Sequence, residues 1–112
     1  MRTIFKATRD FERDFKKLAK KYKSLKNDLQ EFKKVLPFVS FNENKNFAVL
    51  HDSKTYKIIK ARFSCRYLRN NPAMRIILAQ FNKNEYEFIE IYFKGDKENE
   101  DRQRILDFQK NV

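Results

Sequence analysis

The chain reads as an α+β domain with the element order β-α-α-β-β-β-α. Three observations set that reading: two apolar series near the start repeat at helical spacing, three later runs are strand-like with apolar residues on both faces, and a closing run can form one more helix. The 112 residues fit a single domain spanning 1–112. A single core can be built at that size without metals or bridges.

Residues 2–7, Arg-Thr-Ile-Phe-Lys-Ala, read as a short strand. Thr8 or Asp10 then caps a helix, because a short side-chain oxygen accepts an orphan amide hydrogen. Phe11, Phe15, Leu18 and Tyr22 follow at spacings of four, three and four, which is one helical face. Ser24 offers a second cap, and Leu25, Leu29, Phe32 and Leu36 repeat the spacing until Pro37 forbids continuation. Few residues join the two helices, so they should form an antiparallel hairpin with Lys16, Lys17, Lys20, Lys21, Lys23, Lys26, Lys33 and Lys34 on its outer faces.

The stretch 38–55 mixes turn signals (Asn42, Asn44, Asn46) with apolar residues (Phe38, Phe41, Phe47, Val49, Leu50). It reads as a structured loop with room for a helical turn, longer than most connections in a compact domain. Strands follow over Tyr56–Phe63, Met74–Phe81 and Tyr86–Lys94, with Asn82-Lys83-Asn84-Glu85 as a tight turn between the last two. Paired isoleucines in the first two runs, and Phe88, Ile89 and Ile91 in the third, suit strands packed on both sides. Gly95-Asp96 ends the third run. A helix over Glu98 to Lys110 then presents Ile105, Leu106 and Phe108, with Glu98, Glu100 and Asp101 favouring the positive end of its dipole.

Composition narrows the function. The chain has 26 basic and 15 acidic residues, a net charge of +11 that favours an anionic partner. One glycine and two prolines exclude collagen-like and linker-like chains, and twelve phenylalanines argue against disorder. Cys65 is the single cysteine, so no internal bridge forms and no oxidising compartment is needed. Met1 to Lys6 holds no long apolar run, so neither a signal peptide nor a membrane span is expected, and the expected location is the cytoplasm. The basic residues follow a strand pattern, not one face of an amphipathic helix, which argues against a membrane partner.

The charge is also concentrated. From Ser53 to Asn84 there is no acidic residue, while Lys54, Lys57, Lys60, Arg62, Arg66, Arg69, Arg75 and Lys83 are interleaved with Tyr56, Phe63, Tyr67 and Phe81. Clustered cations attract polyphosphate, and aromatics among them stack on bases, so this stretch is expected to face a nucleic acid.

The element order, the run Tyr56-Lys57-Ile58-Ile59-Lys60-Ala61-Arg62, the strand Met74-Arg75-Ile76-Ile77-Leu78 and the segment Ile89 to Asn99 together resemble the RelE/ParE toxin superfamily of toxin–antitoxin modules. The resemblance covers nearly the whole chain except 38–55. It implies a small twisted antiparallel sheet with the helical hairpin on one face, the C-terminal helix after it, and a basic site on the opposite, concave face. RelE-like members cut messenger RNA in the ribosomal A site, using no metal or organic cofactor; ParE-like members poison DNA gyrase and lack the cutting residues. A cognate antitoxin is the implied protein partner, beside ribosome-bound messenger RNA and ribosomal RNA.

Strand alternation puts Lys60 and Arg62 on one face and Ile59, Ala61 and Phe63 on the other. By the resemblance, basic residues of this strand position the scissile phosphate, and either Lys57 or Lys60 matches the family position. Arg75 opens the middle strand where the family has an arginine; a fixed guanidinium suits the charge that builds on phosphoryl oxygens when a 2′-hydroxyl attacks. The bland alternative for Arg75 is an ion pair with Glu90. Tyr92 and Lys94 share a face with Glu90 by alternation. Lys94 fits a second phosphate ligand or proton donor, Tyr92 a base-stacking or core role, and Glu90 a structural role orienting Arg75 in preference to a catalytic one. Arg66 and Arg69 sit in a loop suited either to ribosomal RNA contact or to plain solvation. His51 and Cys65 have no partners that would make them catalytic, and no metal-ligand or phosphate-loop spacing exists.

Overall fold

The computed structural model describes residues 2–69 and 71–112; Met1 of the N-terminal segment and Asn70 of the loop after the first basic strand lie outside the described residues. The first strand, β1 (Ile4–Ala7), runs into helix α1 (Arg9–Lys21) through Thr8, whose hydroxyl accepts from the Phe11 amide at 3.1 Å. The same hydroxyl donates to the Ile89 carbonyl at 3.2 Å, so one short side chain both starts the helix and ties it to the sheet. Helix α2 (Leu25–Val35) returns and ends in a 3-10 turn, Leu36–Phe38, that contains Pro37. Ser24 does not cap α2: its hydroxyl donates to the Asp28 carboxylate at 2.7 Å instead.

Four further strands follow: β2 (Phe47–Asp52), β3 (Lys57–Cys65), β4 (Asn71–Asn82) and β5 (Glu85–Phe93), with α3 (Arg102–Lys110) last. The structure is therefore α+β, with a five-stranded mixed sheet ordered β1-β5-β4-β3-β2 and three helices. Three expectations are corrected. The sheet is not wholly antiparallel, because β1 lies parallel to β5, with Phe5 opposite Tyr86; the long excursion between them supplies the crossover that parallel neighbours need. The stretch 38–55 is not only loop. Phe47, Val49 and His51 alternate as half-buried residues with exposed Ala48, Leu50 and Asp52, giving an edge strand with a bulge between Val49 and His51. The final helix starts at Arg102, not Glu98, because Asp101 is its cap and accepts from the Arg104 amide at 3.2 Å.

The two faces of the sheet are covered differently. Against the α1–α2 hairpin lie Ile59, Ala61, Phe63, Met74, Ile76, Leu78, Tyr86, Phe88 and Ile91, packed with Phe11, Tyr22, Leu25, Leu29 and Leu36. Phe11 stacks on Phe88 at 5.2 Å between ring centres, and Phe32 meets Phe63 edge-on at 5.3 Å. The other face holds a smaller cluster, Ile58, Ile77, Ala79 and Ile89, covered by Ile105 and Phe108 of α3. Among the described residues no helix is long and apolar enough to cross a membrane.

Candidate nucleic-acid interface

The pleat of β3 decides which of its cations can act together. Ile59, Ala61 and Phe63 face the helical hairpin, so Lys60 and Arg62 face the α3 side and Lys57 faces away from them. Lys57 is thereby separated from the other site candidates. Across the sheet, Arg62 stands opposite Arg75, and Arg75 opposite Tyr92; in the next row Lys60 stands opposite Ile77, and Ile77 opposite Glu90. Directly opposed residues share a face, so Lys60, Arg62, Arg75 and Tyr92 form one patch over three strands. Lys94 follows β5, its amide donating to the Ala73 carbonyl at 2.8 Å beside the start of β4, and its side chain is exposed.

The patch has two halves. On one side every charge has a partner. The Lys60 ammonium lies 2.8 Å from the Glu100 carboxylate. Burial works to lower the Lys60 pKa, but the hydrogen bond it donates to Glu100 and the nearby Tyr92 outweigh it, and the value is raised. Burial likewise pushes Glu100 up, and Lys60 more than reverses that, so the carboxyl is held below its ordinary value. Glu90, 1 % exposed, accepts from Lys97 and from the Asp101 amide at 2.8 Å. It does not touch Arg75: its structural role is to anchor the segment that leads into α3.

On the other side the charges oppose each other. Arg75 is 9 % exposed, and its Nη1 donates to the carbonyls of Pro72 at 2.6 Å and Met74 at 3.0 Å. Nη1 is thus fully used, while Nη2 and Nε have no acceptor among the described residues. Arg62 is exposed, and among the described residues no carboxylate lies within ion-pair distance of either arginine. Like charges directly opposite one another destabilise a sheet. Next to them the Tyr92 hydroxyl is buried, and among the described residues no hydrogen bond of good geometry reaches it, although the Lys60 ammonium lies near enough to act on its pKa. Burial raises its pKa, only partly offset by the Lys60 charge, so the phenol keeps its proton. The Tyr92 ring is 5 % exposed with Lys97 over it at 5.5 Å, so in this conformation it is not a platform for a base.

The remaining candidates flank this half. Arg66 opens a 3-10 turn, Arg66–Leu68, after β3, and Arg69 ends it with φ 58, a left-handed conformation. Both side chains are exposed; Arg66 Nε lies 3.9 Å from Asp28, a loose contact. His51 stacks on Tyr56 at 4.9 Å, and Cys65 is buried, so both serve packing. No group of three or more His, Cys, Asp or Glu that could hold a metal occurs among the described residues. The sheet face opposite the hairpin is partly covered, because α3 packs on its apolar part and the segment before α3 pairs with Lys60 and Glu90. A separate cleft of about 490 Å³ beside α3 is lined by Asp10, Glu87, Asp107 and Arg104, a poor lining for an anion.

Sequence reasoning missed the Lys60–Glu100 pair and the role of Ser24 and Asp28. The first joins residues 40 apart in sequence, with no local signal. The second had a weak one, a serine and an aspartate one helical turn apart at a helix start. In comparisons with known proteins, no protein-family model, no curated protein and no solved structure matches this chain.

Proposed function

We propose that the chain is the toxin of a type II toxin–antitoxin module, similar in kind to RelE, and that it cuts messenger RNA on the ribosome. The observation that carries this reading is the Arg62–Arg75 pair, two arginines at directly opposed positions of adjacent strands, with no carboxylate within ion-pair distance of either among the described residues. A backbone phosphate is the group that relieves that repulsion, and two planar forks suit its oxygens. The arrangement of a first strand beside the last, a helical hairpin on one face and a closing helix on the other supports the same superfamily.

In this reading the RNA supplies its own nucleophile, the 2′-hydroxyl, and the protein supplies charge and orientation. Arg75, tied at Nη1, presents its remaining donors to the phosphoryl oxygens as charge builds on them. Lys60 and Tyr92 both hold their protons at neutral pH, so they stabilise charge or donate a proton and do not act as bases. Arg62, Arg66, Arg69 and Lys94 position the strand. The protein partner is an acidic antitoxin that pairs with the open edge of β2 or covers the cations, and the site of action is the cytoplasm. One observation favours a non-catalytic binding module or a ParE-like gyrase inhibitor instead: Lys60 is already engaged by Glu100.

Translating extracts separate these readings. The chain should produce cut messenger RNA, and Arg75→Ala should lower the cutting rate by about 100-fold or more. Equal cutting by the variant removes Arg75 from the mechanism. DNA breaks without RNA cuts identify a gyrase inhibitor, and salt-sensitive RNA binding without product identifies a binding module.

A further inference from the structure

We infer that Tyr67 is a stacking platform for an unpaired RNA base, set on a turn whose first amides are hydrogen-bonded to the helical hairpin. The inference rests on the RNA-directed reading above and adds the form of the nucleic acid, single-stranded, and the residue that recognises it.

Four observations converge on the loop. Tyr67 is 56 % exposed, and it is an aromatic side chain standing between two arginines, Arg66 and Arg69, that are also exposed. Its ring meets Tyr22 near-perpendicularly at 6.3 Å, which fixes its direction without covering it. The backbone beneath is tied down: the Tyr67 amide donates to Ser24 Oγ at 2.8 Å and the Arg66 amide to Asp28 Oδ2 at 3.1 Å. Ser24 spends its single proton on Asp28, and Cys65 lies 3.5 Å away as a further donor to Ser24. A buried carboxylate, Asp28, is thus committed to holding a turn that contributes only Leu68 to the core. Finally, Arg69 occupies the left-handed region at φ 58, where glycine is cheaper, so a cationic side chain stands at a backbone position that disfavours it.

An exposed aromatic between cations on a pre-organised backbone is the arrangement that binds single strands, where a base stacks and the flanking charges meet phosphates. The loop closes the β3–β4 hairpin, and Tyr67 packs on the helical-hairpin side of the sheet against Tyr22, so a strand gripped at Arg62 and Arg75 on the other face reaches it by passing over the end of the sheet. No acidic residue occurs from Ser53 to Asn84, so the carboxylates near that path, Asp28 and Glu31, come from α2.

The test measures binding of the intact chain to a 12-nucleotide oligoadenylate and to a matching strand whose bases are removed, beside Tyr67→Ala and Tyr67→Phe. Stacking predicts that Tyr67→Ala weakens oligoadenylate binding roughly 5- to 150-fold, that Tyr67→Phe keeps the affinity, and that all three proteins bind the abasic strand alike. Equal binding of oligoadenylate by the parent chain and Tyr67→Ala overturns the inference, as does an equal loss on the abasic strand, which reports a collapsed loop. If the parent chain binds neither strand, the RNA-directed reading itself fails. If stacking is seen but translating extracts show no cut RNA, only the nuclease reading fails.

Discussion

Two halves of one sheet face handle positive charge in opposite ways. Around Lys60 and Glu90, each ion is paired and roofed by the segment before α3: Lys60 with Glu100, Lys97 with Glu90, the Asp101 amide also on Glu90. One row along, Arg62 and Arg75 face each other with no acid. The first half is built as structure, since a buried carboxylate persists only when its oxygens are satisfied. The second half is the one proposed above to take a phosphate, which would relieve the repulsion of two like charges at opposed positions. The chain has fifteen acidic residues, and none is placed to neutralise this pair.

The contrast can be broken by substitution, and the largest effect falls in the paired half. Glu90→Ala should destabilise the fold by about 3 kcal/mol, because it leaves the Asp101 amide unpaired, while Lys97, 39 % exposed, can turn to water; denaturant unfolding measures this, and a change below about 1 kcal/mol would make the anchor dispensable. Arg75→Ala acts on the other half: it should raise the barrier to RNA cutting by about 3 kcal/mol or more, read as the single-turnover rate. Arg62→Glu tests the opposition itself. The new carboxylate faces Arg75, so the variant should gain up to about 1 kcal/mol of stability while losing RNA affinity; lower stability would show that Arg62 and Arg75 do not repel each other across the strands.

The smallest effect is Glu100→Gln, which frees Lys60. RNA binding should tighten a few-fold at low salt, with a stability loss of at most about 1 kcal/mol. The pair also sets a pH window. Glu100 is held below its ordinary value, so its contribution is present at neutral pH and is lost as pH falls through the folded-state value. Lys60 is raised, so its contribution is present at neutral pH and is lost as pH rises through its folded-state value. Glu100→Gln should flatten both limbs of the stability profile, and an unchanged acid limb would contradict the pairing.

Much of this was legible in the chain because it is local. Helical spacing of Phe11, Phe15, Leu18 and Tyr22 marked α1, Thr8 marked its start, and Pro37 closed α2. Strand parity alone puts Lys60 with Arg62, and Glu90 with Tyr92. What was not legible is what depends on distant partners. Asparagine-rich turns hid β2, whose alternation makes sense only once β3 lies beside it. The parallel placement of β1 follows from which edge is free, and the Glu100 contact from how α3 folds back. Tyr92 carried strand alternation but no sign that its hydroxyl would be buried beside Lys60.

The central claim is that Arg62 and Arg75 grip one phosphate together, and the salt dependence of binding to single-stranded RNA tests it most directly. Each phosphate neutralised on a single strand contributes about 0.7 to the slope of log K against log salt. Arg62→Gln with Arg75→Gln should therefore lower that slope by about 0.7, as for one shared phosphate; an unchanged slope, with binding intact, would contradict the account.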